Sequence, residues 1–401
     1  MRFGVFYELQ LPKPWDELGE QRLIDEAIEQ VILADQLGIE HAWAVEHHFL
    51  DEYSHCSASD VFLTALAAKT EQIRIGFGIR QVIPDYNPPA RTAETVAMLD
   101  LISHGRVEFG IGESATRMEL RGFGIPARKK RDLALEAAEQ IANMMVMDPY
   151  PGFEGVGFSM PCRIVLPKPV QRPHPPMWMA CTNRSTIETA ARNGLGALAF
   201  SFVDPDEAKR WADVYYSIIQ SDECKPIGHT VNPNIAMVAP FSLHDDTDIA
   251  VERGIHGFRF FNYAMSAMVT KDNTPGRTTL WSDYMAQATD RKLSRKAPGI
   301  GTPEDFADLV RAYEDVGVDQ VIFLQQGGLN KHEHICESLQ LFGDRVYPEF
   351  RERRDEKEAA KAERLAPHIK AALARKDWMP VLEEDEIPPV LASVKKAGLY
   401  K

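Results

Sequence analysis

At 401 residues with 44% apolar content, the chain can bury a large core, as one barrel or as two domains. Its formal net charge of −14, with no basic patch carrying interleaved aromatics, argues against nucleic acid and anionic membrane surfaces as partners and leaves small molecules and proteins. Five cysteines without CxxC spacing read as reduced thiols of a cytoplasmic protein, and neither a signal sequence nor an uncharged 18-residue apolar run is found.

Taken in chain order, β-type apolar runs alternate with amphipathic stretches. Strands are expected at 2–7, 41–45, 73–82, 106–112, 177–181, 197–202, 234–240 and 320–325. Between them, helical patterns fall at 21–37, 59–70, 90–103, 129–147, 185–193, 205–219 and 303–316. Thr302 is placed to cap the last of these, with Pro303 at its first position. Eight such units in parallel predict an α/β protein of the (β/α)8 TIM-barrel class over residues 1–345.

Three stretches exceed a minimal barrel. Residues 148–174 are rich in Pro and Gly. Residues 257–301 form an insertion after the seventh strand, long enough to serve as a lid or substrate loop. From 346 to 401 the chain turns charged and is expected to form a solvated helical extension, whose end is an arm for a neighbouring subunit.

Chemistry is expected where strands end. The run HAWAVEHHFLDEYSHC, 41–56, places four histidines and three carboxylates around the end of the second strand. Glu46, His47 and His48 are the catalytic candidates, with Tyr53 and His55 close enough in sequence to reach the same mouth. Adjacent His47 and His48 point in different directions, so only one is expected to face the barrel mouth. A histidine there can hold or move a proton near neutral pH. The cluster has no HxH or HExxH spacing, so no metal is expected.

At the end of the fourth strand, Gly110 and Gly112 flank Ile111 and would let a flat ring or a phosphate approach the backbone, but no third glycine follows at dinucleotide-binding spacing. Thr182, Asn183, Arg184, Ser185 and Thr186 lead into a helix after the fifth strand. They read equally as a phosphate seat or as ordinary capping by Ser185.

These segments together resemble the bacterial luciferase-like family of flavin-dependent monooxygenases. The resemblance is carried by MRFGVF, by AVEHHF, by RIGFGIRQVIPDYNPPARTAETVAMLDLISHGRVEFGIG and by GTPEDFADLVRAYEDVGVDQVIFLQQGG, and spans about residues 1–125 and 175–345. It implies a TIM barrel, usually a homodimer paired through helices 59–70 and 90–103. It also implies reduced FMN, delivered by a separate NAD(P)H-dependent flavin reductase, which reacts with O2 at flavin C4a and oxygenates a small apolar or aromatic organic substrate.

The resemblance further implies that His47 acts on the oxygen adduct or on substrate, supported by Glu46 and His48. Ile79, Arg80, Gln81 and Gly112 would lie beside the flavin, and Thr182, Asn183 and Thr186 would hold its phosphate. The family's reactive cysteine and phosphate-seating arginine are replaced by Gly112 and Glu113, so light emission is not expected and phosphate must lean on Arg184, with Ser185 beside it, or on another cation such as Arg117. Tyr53, His55, Phe260, Tyr263 and Trp281 are the substrate-contact candidates. The rivals are a deazaflavin-dependent oxidoreductase on the same fold, a metal-dependent barrel hydrolase and a non-catalytic barrel subunit.

Overall fold

The computed structural model describes residues 1–270, 277–290 and 297–389. Eight parallel strands close into a barrel: β1 (Arg2–Tyr7), β2 (His41–Ala44), β3 (Arg74–Gln81), β4 (Val107–Gly112), β5 (Met177–Cys181), β6 (Gly196–Ala199), β7 (Ile235–Pro240) and β8 (Gln320–Leu324). Each pairs with its neighbours in sequence, and β8 closes on β1 with Phe3 opposite Val321. All eight fall where the apolar runs predict them, and β1 and β5 match to the residue.

The wall helices are α1 (Gly19–Leu37), α2 (Ser59–Lys69), α3 (Pro89–Ile102), the short α4 (Arg117–Gly122), α5 (Lys130–Val146), α6 (Arg184–Arg192) and α7 (Pro205–Ile219). Then follow α8 (Thr247–Thr270), α9 (Leu280–Asp290), α10 (Pro303–Asp315), α11 (His332–Arg345) and α12 (Tyr347–Ala374). Thr302 caps α10 as expected, exchanging side-chain bonds with Asp305, and Pro303 fits at the first turn because no N–H is needed there. Capping of α6 falls to Asn183, not Ser185: the Asn183 side chain accepts from the Thr186 N–H, and the Ser185 hydroxyl donates to Asn183 Oδ1 at 2.8 Å.

The barrel is packed through. In its lower layer Trp43 and Trp178 meet edge to face at 5.5 Å, and a Cβ on Gly76 would stand 2.2 Å from the Trp43 ring. Higher up, pairing of β3 with β4 shifts register between Phe77 and Arg80, a bulge that re-aims the end of β3. The bulged backbone leaves no room for a side chain on Gly110, whose Cβ would lie 2.1 Å from the Phe77 carbonyl oxygen. Gly110 therefore admits the backbone of the neighbouring strand, where the sequence suggested a ring or phosphate, whereas Gly112 lies at the cavity.

The stretch 148–174 carries a two-stranded hairpin, Tyr150–Glu154 with Ser159–Arg163. The insertion expected from 257 opens inside α8, which starts ten residues earlier and runs across that boundary. From α8, Phe260 packs on Trp281 and Tyr284 of α9 at 5.1 and 6.0 Å. The segments 271–276 and 291–296 of that insertion, and the expected arm from 390 on, lie outside the described residues.

α12 is not the fully solvated helix that its charge suggests. Tyr347, Phe350 and Leu365 are buried, and Phe350 meets Phe3 at 5.7 Å. Charged residues of α12 also pair with the amino-terminal ends of strands, as in Arg2–Glu358 at 2.5 Å and Lys361–Asp319 at 2.6 Å. The helix thus closes the bottom of the barrel, opposite the site.

Candidate active site

At the carboxyl ends of the strands lies a cavity of about 630 Å³. Glu8 follows β1, His47 follows β2, Ile79 and Gln81 end β3, and Gly112, Glu113 and Ser114 continue from β4. Thr182 and Asn183 come from the end of β5, Phe200 and Ser201 from the end of β6, and Phe261, Met265 and Met268 hang from α8. The chain turns sharply at these ends. Leu9, Phe49 and Ser114, one after each of β1, β2 and β4, hold positive φ of 55°, 62° and 58°, a conformation that side chains resist and functional sites retain.

His47 sits between two carboxylates. Its Nδ1 is 3.0 Å from Glu119 Oε1, and its Nε2 is 3.7 Å from Glu8 Oε2. Glu119 is fully buried yet accepts from the His48 backbone N–H at 3.0 Å and from the Ser114 and Thr116 hydroxyls at 2.7 Å each. Burial raises the Glu119 pKa, but His47 and these hydroxyls outweigh it and hold the carboxyl at about 2. Burial alone would lower the His47 pKa; the Glu119 and Glu8 charges reverse that and lift it to about 9.

Glu8 is the opposite case. Burial dominates and pushes its carboxyl up to about 7, against the lowering pull of His47 and of the Tyr53 hydroxyl, which donates to Glu8 Oε1 at 2.9 Å. Burial drives the Tyr53 hydroxyl well above its ordinary range, so it stays a donor. Glu8 Oε2 and Gln81 Oε1 are buried at the cavity wall without a hydrogen-bond partner.

Of the residues expected from sequence, His47, Tyr53, Ile79, Gln81, Gly112, Thr182, Asn183 and Thr186 line the cavity. The others stand behind or beyond it. Glu46 is a buried brace: it accepts from His48 Nε2 at 3.0 Å, Asn87 Nδ2 at 2.9 Å and the Gln81 N–H at 3.1 Å, and pairs with Arg80 at 3.2 Å. Burial would raise its pKa, but these partners bring it below the ordinary range. Arg80 turns outward, with Asp60 as a second partner at 3.7 Å. His48 packs on Phe123 at 5.0 Å and His55 bonds Glu20 at 2.9 Å. Arg184 is exposed beside Glu188, and Ser185 is exposed. Phe260, Tyr263 and Trp281 belong to the α8–α9 packing, not to the cavity wall.

The cations near the β5 loop are instead Lys130 and Arg131 from the start of α5, both on the wall. They meet Glu113 at 3.3 and 2.9 Å. Sequence reasoning passed over them because a helix start 18 residues past a strand end gives no signal in one dimension. Glu8 was within reach, since it directly follows the first apolar run. Among the described residues, no three His, Cys, Asp or Glu side chains converge as metal ligands, and no helix is long and apolar enough to cross a membrane.

The family model for luciferase-like monooxygenases matches residues 1–320. The chain belongs to this family. This luciferase-like monooxygenase is 26% identical over 362 residues to the oxygenase component of flavin-dependent trigonelline monooxygenase from Acinetobacter baylyi, covering 88% of this chain and 96% of that protein. Among solved structures, monooxygenase RslO1 from Streptomyces bottropensis superposes with a TM-score of 0.71 at 25% identity, over 87% of this chain and all of the other. An F420-dependent secondary alcohol dehydrogenase shares the fold, with a TM-score of 0.65 at 16% identity over 86% and 98% of the two chains.

Proposed function

We propose that this monooxygenase is the oxygenase component of a two-component system. It uses reduced FMN supplied by a separate NAD(P)H-dependent reductase, and O2, to place one oxygen atom on a small apolar or aromatic organic molecule. The observation that carries the reading is the two-ended cavity. One end offers Thr182, Asn183, Lys130 and Arg131, donors suited to a phosphate. The other end is apolar, lined by Phe200, Phe261, Met265 and Met268.

The buried acceptors Gln81 Oε1 and Glu8 Oε2, which have no hydrogen-bond donor among the described residues, fit a ring system that carries N–H groups between these ends. When bound, reduced FMN would supply the electrons that activate O2. The protein's own task is to hold the ring, keep water out and place charge. His47 and Glu119 fix a cation–carboxylate pair at the wall, and the side chains hanging from α8 cover the mouth with apolar surface. The named relative, an oxygenase component acting with flavin, supports the same reading.

The enzyme acts inside the cell, where its five free cysteines stay reduced. The barrel over 1–345 carries the chemistry, and the extension from 346 serves structure. Anaerobic titration with reduced FMN, followed by mixing with oxygenated buffer, tests the proposal. Tight binding and a transient near-ultraviolet absorbance are expected. Failure to bind reduced FMN, with binding of a reduced deazaflavin in its place, would transfer the reading to hydride transfer.

A further inference from the structure

The two titratable groups that face the cavity from its floor are not equivalent. Glu119 makes four contacts: the His48 N–H can only donate to it, and the Ser114 and Thr116 hydroxyls, whose oxygens accept from the Thr116 and Glu119 N–H groups, turn their own hydrogens toward it. A carboxyl so placed is an ionised acceptor, so the fourth contact is a donated one and His47 Nδ1 carries a proton. A proton on Nδ1 alone would leave the ring neutral; the Glu119 and Glu8 charges on either side favour a second one on Nε2, so that near neutrality His47 is a cation, poorly suited to taking up a further proton.

Glu8 is 2% exposed, has Oε1 held by Tyr53, and presents Oε2 at the cavity wall with no hydrogen-bond donor among the described residues, 3.7 Å from His47 Nε2. We propose that Glu8, and not His47, is the group that exchanges a proton with the molecule bound in the cavity, while His47 serves as a permanent positive charge. In the forward step a substrate O–H or N–H bond breaks, its proton goes to Glu8 Oε2, and the electron pair stays on the substrate heteroatom beside the imidazolium. The proton returns by the reverse path. The proposal rests on the cavity being the oxygenation site.

Among the described residues, the groups facing Glu8 are few. They are His47 after β2, Tyr53 on the turn Asp51–Tyr53, the Cys56 thiol whose pKa burial raises, and Glu119 of α4 behind His47. From α8 the neighbour is Phe261, 5.8 Å from the Tyr53 ring and uncharged. The balance of burial against one cation and one hydroxyl leaves Glu8 poised near pH 7.

Infrared pH titration of the cofactor-free protein, together with nitrogen NMR of selectively labelled histidine, tests this without turnover. The wild type should show a protonated-carboxyl band that fades through about pH 7, absent in Glu8→Gln, with His47 still an imidazolium at pH 7.5. In Tyr53→Phe the same band should fade at higher pH, because a donor to the carboxylate is lost. A band that persists in Glu8→Gln, or a neutral His47 at pH 7.5, overturns the proposal, and the His47 measurement needs no variant to fold. With reduced FMN and oxygen, decay of the transient absorbance should break near pH 7 in the wild type and lose that break in Glu8→Gln; a flat wild-type profile also overturns it. If no transient forms at all while the titrations behave as stated, it is the oxygenase reading that fails.

Discussion

His47 and Glu119 form a buried ion pair whose members answer to pH from opposite sides. His47 rises from an ordinary 6.5 to about 9, so its contribution to stability is complete below pH 6.5 and is lost as pH climbs through 9. Glu119 falls from 4.5 to about 2, so its contribution is complete above pH 4.5 and is lost as pH drops through 2. Glu8, raised from 4.5 to about 7, adds to the alkaline-side loss, its share fading between those values. Glu119→Gln should therefore cost about 3–5 kcal/mol at pH 6, as breaking a buried pair does, and distinctly less at pH 9.5. Urea unfolding at the two pH values checks this; an equal loss at both would mean that the pair is not ionised. His47 was visible in the sequence because it follows an apolar run directly. Glu119 was not, since it lies 72 residues away on a short helix and reaches His47 only when β2 and β4 come to lie on either side of β3.

At the scale of elements, the start of α9 hangs on a buried carboxylate of the loop after β2. Glu52 is fully buried and accepts from the backbone N–H groups of Leu280 at 2.6 Å and Trp281 at 3.2 Å, the first residues of α9, and from the Thr278 hydroxyl at 2.7 Å. A carboxylate at a helix N-terminus satisfies free donors and complements the helix dipole. Its neighbour Asp51 holds Lys13 at 2.5 Å and the Thr278 N–H at 2.6 Å. The next residue is Tyr53, which bonds Glu8, so the anchor of α9 and the cavity wall share one three-residue turn. Glu52→Ala should speed hydrogen exchange at Leu280 and Trp281 by about tenfold or more, since each charge-assisted bond contributes about 1.5–3 kcal/mol. The same variant should release more hydrogen peroxide per product formed. Unchanged exchange would show that α9 is held by its contacts with α8 alone. The length and aromatics of 257–301 suggest a lid or substrate loop, but the contacts that hold α9 lie in the histidine-bearing loop, far away along the chain.

Over the whole molecule, two surfaces carry predictions. The outer faces of α2 and α3 leave Val61, Met98, Leu101 and Ile102 exposed, with Val61 at 69% and Met98 at 49%. We expect these faces to pair two copies of the chain, because apolar side chains so grouped seek cover. Met98→Asp with Leu101→Asp should convert a dimer to a monomer in light scattering, and a wild-type monomer would end that expectation. At the opposite end, removing residues 346–401 would bare Phe3 and Phe342, which Tyr347 now covers at 5.9 Å from each. It would also leave Asp319 without its Lys361 partner. The truncated chain should melt well below the full one or aggregate on expression; equal thermal midpoints would make α12 dispensable.

The barrel is legible along the chain. Periodicities of two and 3.6 are local, and eight apolar strands separated by amphipathic helices have few other ways to bury themselves. The sequence also points to the strand ends, where the cavity lies, and so to His47, Gln81 and Thr182 on its wall. Which charges meet is settled in three dimensions: Glu119 and not Glu46 holds His47, Lys130 and Arg131 and not Arg184 reach the cavity, and Phe261 and not Phe260 faces it. Electrostatic partners are set by distance in space and by burial, and neither quantity is periodic along a chain.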